Sequence, residues 1–418
     1  MQNRLRSLGA LAALSLLTGC GVGHSLGHEL LGLNDGSPTS GTVPSQFGYA
    51  VADEPEAAVI GRDILNRGGN AVDAAAAEGF AQAVTLPSRG GLGGGGACII
   101  KMPGPDGKMQ KPVMLSFPAG LAAQTSGDRP AAVPLLARGL LAMQVRYGQL
   151  PLSSVIVPAE RLAGGAPVSQ ALASDLQVVG NALLADPQAA AVFAPGGTLL
   201  AAGANLQQPD LAATLESLRV NGVNGLYAGI GAAQFAKAAD QAGGGLTTGD
   251  LVNATPHYGA PDITQQGDYQ VASLPVSPDA EGRALPASAS FMALDKNGGA
   301  VICVTSMNNL FGTGRIAPGT GILLAASPRT APTPDLAAEM AYTSGNDAFR
   351  AAATGTGQNA AAAAARIGLD NALSGKNAPI PAPGRANIIS CPNNVPGGEA
   401  SCRASTAPGA HGLAIGGR

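Results

Sequence analysis

The segment 286–321 most strongly limits what this chain can fold into, because it predicts two strands joined by a turn. Asn297-Gly298 separates two apolar runs, and this dipeptide is a strong signal for a β-hairpin. The second run, Ala300 to Thr305, is apolar at both alternating positions, which is typical of a strand covered on both faces. We therefore expect a buried hairpin with two small hydroxyl residues, Ser288 and Ser290, at the start of its first strand.

Composition indicates a folded chain and does not favour nucleic-acid binding. The 418 residues suffice for one large domain or two ordinary ones. Charged residues make up only 12%, but hydrophobic residues reach 45%, so the composition is not that of a disordered chain. Aromatic residues are 3% and tryptophan is absent, which predicts helices packed closely through small side chains. The net charge of −3 provides no basic field for nucleic acid.

The N-terminal 47 residues resemble a targeting segment followed by a tether. Two arginines precede a short apolar run, Leu8 to Leu17, which cannot span a bilayer. The run ends in Leu17-Thr18-Gly19-Cys20, which resembles a bacterial lipobox and implies a signal peptide at 1–19 and a lipid on Cys20. Residues 20–47 would hold this cysteine and a flexible tether. We expect a lipid-anchored envelope protein, in the outer membrane facing the periplasm because Gly21 follows the cysteine; an ordinary signal peptide or a buried apolar segment are the alternatives.

The four other cysteines fall into two groups. Cys391 and Cys402 flank a segment rich in Pro, Gly and Asn, and they could close a small disulfide loop in an exported protein. Cys98 and Cys303 lie in apolar strand patterns and are expected to be buried as small hydrophobic side chains. No cysteine spacing matches a zinc site, so the sequence predicts neither a metal nor a cofactor.

Patterns along the rest of the chain predict a mixed α/β protein. Helices are expected at 54–66, 71–84, 134–147, 152–163, 169–185, 211–221, 337–341 and 358–373, strands at 97–101 and 115–117, and a poorly ordered tail at 376–418. Gly91, Gly93 and Gly96 match GxGxxG, but they follow a helix and open a strand. A dinucleotide-binding loop has the opposite order, so this function is not predicted.

Several strings occur in the same order as in the gamma-glutamyltranspeptidase family, and the chain resembles that family over about residues 48–375. The similar strings are GGNAVDAA at 68–75, PSRGGLGGGG at 87–96, RYGQLP at 146–151, PAERLA at 158–163, the Gly243-Gly244 to Leu251 segment, FGTG at 311–314 and PGTGILL at 318–324. The resemblance implies the four-layer αββα sandwich of the N-terminal nucleophile hydrolases. It also implies no cofactor.

The same resemblance implies a chain that cuts itself before a threonine, whose hydroxyl then attacks while its own α-amine acts as the base. Phe291 and Asp295 fix the register of the family segment, so this threonine falls on Ser288. The implied parts are a large-subunit-like part at 48–287 and a small-subunit-like part at 288–375, which would stay associated. The resemblance implies substrate-binding roles for Ser306, Asn308, Thr330, Thr356 and Gly357, the last two as oxyanion donors.

Other positions depart from the family pattern and mark a divergent, shortened member. The family arginine that binds the substrate α-carboxylate falls on Pro118, and the histidine after the nucleophile falls on Ser290. The loss of a charge-assisted contact to the carboxylate removes about 1.5–3 kcal/mol of binding. Arg89, Arg315 and Arg329 lie in loops of this region, and one of them could take over the role.

Three functions are consistent with these residues. The first is an active, self-processing amidohydrolase or acyltransferase that acts on gamma-glutamyl amides such as glutathione. The second is an unprocessed, inactive envelope lipoprotein that keeps the fold as a binding scaffold. The third is an active relative that prefers another acyl group, such as a neutral or β-lactam-type side chain.

Overall fold

The computed structural model describes residues 48–124, 126–275, 288–331 and 335–417. The predicted signal peptide, the lipidation site Cys20 and the tether lie outside these residues, as does Ala287, which precedes the proposed nucleophile. Within the described part, no helix combines the length and the apolar character that crossing a bilayer requires.

The described residues form seventeen strands and eleven α-helices. The strands are β1 (Gly48–Ala52), β2 (Gly95–Lys101), β3 (Val113–Phe117), β4 (Ala166–Pro167), β5 (Asn205–Leu206), β6 (His257–Gly259), β7 (Asp262–Gln266), β8 (Tyr269–Ser273), β9 (Ser288–Asp295), β10 (Ala300–Ser306), β11 (Ile316–Ala317), β12 (Ile322–Leu323), β13 (Ala337–Thr343), β14 (Phe349–Thr356), β15 (Arg385–Val395), β16 (Arg403–Thr406) and β17 (Leu413–Gly417). The helices are α1 (Pro55–Asn66), α2 (Ala71–Thr85), α3 (Pro87–Gly90), α4 (Leu136–Tyr147), α5 (Leu152–Gly164), α6 (Gln170–Leu183), α7 (Pro187–Phe193), α8 (Pro209–Asn221), α9 (Gly229–Gln241), α10 (Thr248–Asn253) and α11 (Ala361–Ser374).

Two antiparallel sheets stack face to face between layers of helices. The first has seven strands in the order β17-β1-β9-β10-β2-β3-β6, and the second has six in the order β16-β15-β14-β13-β8-β7. Apolar side chains from both sheets, among them Met292 and Ile302 from the first and Met340 and Ile389 from the second, form one buried cluster between them. Helix α2 covers the outer face of the first sheet and α11 that of the second. The predicted αββα sandwich is confirmed.

The hairpin β9–β10 lies at the centre of the first sheet and is buried on both faces. Its connection spans Lys296 to Gly299, and Gly298 has a φ of +84°, a conformation that favours glycine. The Asp295 carboxylate accepts backbone N–H bonds from Asn297 and Gly299 in the turn, and from Ala71 at the start of α2. The turn is therefore tied to the helix that covers the hairpin.

Helix α2 can lie against the hairpin because its residues are small and its start is capped. Asn70 accepts N–H bonds from Val72 and Asp73, and Asp73 accepts one from Asn70 in return. All fifteen residues of the helix are buried. Alanine and glycine on this helix permit the close approach that the composition predicts.

Three predictions about the chain are wrong, and each error has a tertiary cause. Residues 376–418 are not a poorly ordered tail, because β15 and β16 extend the second sheet and β17 pairs with β1 at the edge of the first. Residues 337–341 are not helical, because they form part of β13 between β14 and β8. Alanine-rich sequence favours a helix, but pairing on both sides overrides that propensity.

The third error concerns the cysteines. Cys98 and Cys303 are not separate thiols: they lie directly opposite each other on β2 and β10 and form a disulfide. A pair separated by 205 residues leaves no local signal in the sequence. Cys391 and Cys402 also form a disulfide, which closes the loop between β15 and β16.

Candidate active site

Ser288 is the first residue of β9 and pairs with Ser306 on β10. Its side chain points between the two sheets, because alternate residues of a strand share a face and Met292 and Leu294 of β9 belong to the inter-sheet cluster. The residue is only 2% exposed, and its Oγ has no hydrogen-bond partner in the described part of the chain. A buried hydroxyl without a partner is uncommon and is available for chemistry.

A hydrogen-bond network lies next to Ser288, two residues further along β9. The Ser290 N–H donates to Asp53 Oδ2 over 2.7 Å. Asn387 Nδ2 donates to Asp53 Oδ1 and to Ser290 Oγ, both at 2.9 Å, and Thr354 Oγ1 donates to Ser290 Oγ at 2.8 Å. Burial raises the pKa of Asp53, while the Ser290 N–H and the charge of Arg89 act in the opposite direction. The network joins both sheets beneath the proposed nucleophile.

The loop after β10 brings Asn308 to the same end of the sandwich. Asn308 N–H donates to Ser306 Oγ at 2.8 Å, and its Nδ2 donates to the Ala326 carbonyl at 2.9 Å. The residue is held at a φ of +61°, and its buried Oδ1 has no partner among the described residues. Asn308 is thus fixed through its donors and keeps an acceptor free for a ligand.

Thr356 and Gly357 follow Thr354 at the end of β14. Thr356 is two residues beyond Thr354, so it shares the face that looks toward β9. Gly357 has a φ of +108°, and a Cβ there would meet the Pro383 carbonyl oxygen at 2.2 Å. The backbone therefore turns sharply at this end of the sandwich.

Thr330 is exposed and lies in the turn that follows Ser327. Its hydroxyl donates to the Ser327 carbonyl over 3.0 Å, a bond that stabilises the turn. The structure thus brings Ser288, Ser306, Asn308 and Thr356 to one end of the two sheets, whereas the Thr330 hydroxyl is engaged locally.

Two of the three arginines expected to replace the missing family arginine are already paired. Buried Arg89 donates to Asp175 over 2.5 and 2.8 Å, and Ser88 Oγ donates to the same carboxylate over 2.7 Å. Arg315 forms two bonds of 2.7 Å with Asp128. Arg329 is exposed.

Asp53, Thr354 and Asn387 were not among the residues that the sequence pointed to, although they form the network beside Ser288. In β15, Asn387, Ile389 and Cys391 are buried and face the first sheet, but the sequence of 385–391 does not alternate regularly between polar and apolar residues. The only local signal for a strand here is the β-branched pair Ile388-Ile389. In the described residues, no group of three or more His, Cys, Asp or Glu side chains is arranged to hold a metal ion.

An αββα sandwich with a hydroxyl residue opening a central strand has the N-terminal nucleophile hydrolase fold. The cephalosporin acylase from Bacillus halodurans has a similar structure, with a TM-score of 0.71 over 91% of this chain and 99% of that protein. Sequence identity is 18%, so this likeness concerns the fold. The family model for gamma-glutamyltranspeptidase matches residues 57–285, more than half of the chain. The protein belongs to the gamma-glutamyltranspeptidase family.

Characterised relatives agree with this assignment. The glutathione hydrolase proenzyme of Escherichia coli K12 is 34% identical over 248 residues, which are 56% of this chain and 43% of that protein. The acylase ACY 1 proenzyme of Pseudomonas sp. SE83 is 33% identical over 204 residues, 44% of this chain and 36% of that protein. This chain therefore spans less than half the length of these curated relatives.

Proposed function

We propose that this protein is a self-processing amidohydrolase or acyltransferase with Ser288 as its nucleophile, acting on gamma-glutamyl amides such as glutathione. The observation that carries the proposal is the place of Ser288: the first residue of a central buried strand, facing the gap between the sheets, with an unpartnered hydroxyl. The relatives named as glutathione hydrolase proenzymes support the substrate class.

The first step is cleavage of the bond between Ala287 and Ser288. Ser288 Oγ attacks the Ala287 carbonyl, the carbon–nitrogen bond breaks, and the departing nitrogen takes a proton to become the α-amine of Ser288. Water then hydrolyses the ester, which leaves a carboxylate on Ala287 and restores the Ser288 hydroxyl. The new α-amine supplies the base that a hydroxyl nucleophile needs.

In turnover, the Ser288 amine takes the proton from Oγ as Oγ attacks the substrate amide. Backbone N–H groups near Thr356 and Gly357 stabilise the oxyanion, and the leaving amine receives the proton. Water or an acceptor amine then removes the acyl group from Ser288. The free Oδ1 of Asn308 is available to accept an N–H from the substrate.

The two fragments would remain together after cleavage. Strand β9 of the C-terminal part pairs with β1 of the N-terminal part, and β10 pairs with β2. The Cys98–Cys303 disulfide also joins the two parts covalently. A test of processing therefore needs a reducing gel.

The experiment is a reducing, denaturing gel of the purified full chain, with mass spectrometry of the fragments. We expect two fragments that divide before Ser288, and a single intact chain for Ser288→Ala. Ser374→Ala, at the end of α11 and far along the chain from the hairpin, is the matched control and should be processed normally. A native chain that stays intact would contradict the proposal, because the α-amine base would never form.

Two alternatives have specific support. An inactive binding scaffold is favoured by the loss of the family arginine, whose position holds Pro118. Arg89 and Arg315 do not replace it, because they are paired with Asp175 and Asp128 respectively. The similarity to an acylase proenzyme favours an enzyme with a different acyl preference. The reducing gel separates the unprocessed scaffold from the main proposal, and assays of processed protein with gamma-glutamyl and neutral acyl anilides separate the enzyme with another acyl preference.

We further propose that the protein is anchored through a lipid on Cys20, in the outer membrane facing the periplasm. The lipobox-like string before Cys20 is the support for this proposal. Labelling of expressing bacteria with a fatty-acid probe should mark the native protein, and Cys20→Ser should remove the label. An unlabelled native chain would contradict the anchor.

A further inference from the structure

We propose that Arg385 forms an anion-binding site beside Ser288 and binds a carboxylate on the acyl group of the substrate. The proposal rests on Ser288 being the nucleophile, and it assigns to this chain a specificity residue outside the arginines that its sequence suggested. The position of Arg385 on its strand and the availability of its guanidinium support the proposal.

The position follows from the strand registers. Asn387 and Thr354 are direct partners on β15 and β14, and both contact Ser290. Two pairs further along the same two strands, Arg385 is the partner of Thr356. Residues two apart on a strand share a face, so Arg385 lies on the inner face of β15 together with Asn387.

The direction of β15 places Arg385 at the Ser288 end of β9. At the other end of the hairpin, a Cβ on Gly298 would meet the Val395 carbonyl oxygen at 2.7 Å, so the last residue of β15 lies against the β9–β10 turn. The first residue of β15 must then lie toward the first residue of β9. Each step of two residues along a strand is about 7 Å, so Ser288 and Arg385 form the layer next to the Ser290–Asn387 contact.

The guanidinium of Arg385 is available to a ligand. It is half-buried, and no acceptor in the described residues forms a hydrogen bond or an ion pair with it. The nearby carboxylates are engaged elsewhere: Asp53 by Ser290 and Asn387, and Asp175 by Ser88 and Arg89. An arginine that is partly desolvated without a partner gains from a carboxylate that completes its fork of donors.

The charges around Arg385 come from one further arginine, Arg89, and from two carboxylates, Asp53 and Asp175. Burial and the positive charge of Arg89 lower the pKa of Arg385, while Asp53 and Asp175 act in the opposite direction. Burial and the charges of Arg385 and Arg89 likewise lower the pKa of His411, which precedes β17. Asp175 is paired directly with Arg89, whereas, among the described residues, neither Asp175 nor Asp53 forms a hydrogen bond with Arg385, so its fork of donors is open to a carboxylate ligand.

Three anilides test the inference on processed protein. Gamma-glutamyl anilide carries an α-carboxylate and an α-amine, glutaryl anilide keeps only the carboxylate, and 4-aminobutyryl anilide keeps only the amine. We expect Arg385→Gln to raise KM for the two carboxylate-bearing anilides by about 10- to 100-fold, the range for loss of a charge-assisted contact, and to leave the third within twofold. Arg385→Lys should lie between, because it keeps the charge without the fork.

If Arg385→Gln raises KM equally for all three anilides, the inference is overturned. It is also overturned if Arg329→Gln, and not Arg385→Gln, selectively raises KM for the two carboxylate-bearing anilides. Thermal melts check that the variants fold, and we expect little change because Arg385 has no partner to leave unsatisfied among the described residues. If the native chain shows no turnover, calorimetry with glutarate tests the site directly. Glutarate binding that Arg385→Gln abolishes would support the anion site even though the proposed function fails. Absence of glutarate binding to the native chain overturns the site.

Discussion

The backbone N–H of Ser290 donates a hydrogen bond of 2.7 Å to Asp53 Oδ2. Ser290 lies two residues beyond the proposed nucleophile on the same strand. This contact joins the end of β1 to the start of β9, while Asn387 extends it to the second sheet. The start of β9 is therefore set by a carboxylate far away in the sequence. The family histidine position is filled here by a serine whose hydroxyl accepts from Thr354 and Asn387.

We predict that Asp53→Asn destabilises the protein by about 1–3 kcal/mol and slows self-cleavage before Ser288. An amide has only one acceptor oxygen, so either the Ser290 N–H or the Asn387 amide loses its partner. The measurements are the free energy of unfolding in urea and the time course of fragment formation. Asp262→Asn, on the exposed edge strand β7, is the control. Unchanged stability and cleavage rate in Asp53→Asn would show that the contact is dispensable.

We predict that the processed fragments migrate as one species on a non-reducing gel and separate only after reduction. Cys98 belongs to the N-terminal part and Cys303 to the C-terminal part, so their disulfide bridges the cleavage site. In Cys98→Ser the fragments should separate without reductant yet elute together in gel filtration, because the paired strands still hold them. Cys391→Ser is the control, since both cysteines of that disulfide lie in the C-terminal part. Separation of the native fragments without reductant would contradict this pairing.

We predict that Asp175→Ala destabilises the protein by about 3–5 kcal/mol, because it leaves buried Arg89 without its partner. The double change Arg89→Met with Asp175→Leu should cost much less, since it removes both charges. Lys111→Ala, which breaks the exposed pair with Asp347, should cost less than about 1 kcal/mol. Chemical unfolding of the three variants measures the difference, and equal losses for Asp175→Ala and Lys111→Ala would contradict the prediction.

We predict that Glu54 makes the protein less stable as the pH rises from about 4.5 to about 7. Burial raises the pKa of Glu54 from 4.5 to about 7, so the folded state holds its proton more tightly than the unfolded state. Its stabilising effect is complete below the unfolded pKa and is lost as pH rises through the folded pKa. The shift corresponds to about 3 kcal/mol.

Glu54→Gln should flatten this part of the pH profile, because the amide stays neutral and can still accept the N–H of Ala57 at the start of α1. Urea unfolding between pH 4 and pH 8 makes the comparison. Glu216→Gln, an exposed glutamate on α8, is the control and should keep the native profile. If Glu54→Gln keeps the same dependence of unfolding free energy on pH as the native protein, other groups cause that dependence.

The sequence alone determined the hairpin and the chain's family. Asn297-Gly298 and the apolar run of β10 are local signals for the hairpin, and the resemblance carried by the family strings implied the αββα fold and placed the predicted nucleophile on Ser288. The cap at Asn70 is local in the same way. Such features depend on residues a few positions apart, where spacing carries the physical information.

Only the tertiary structure decided the partners of these elements. Four features join segments far apart in the chain: the Cys98–Cys303 disulfide, the contact of Asp53 with Ser290, the pairing of an alanine-rich run as β13, and the pairing of Arg385 with Thr356. In each case, the chemistry of a residue is set by what packs against it. Short sequence motifs do not reveal this packing, because it exists only once both sheets have formed.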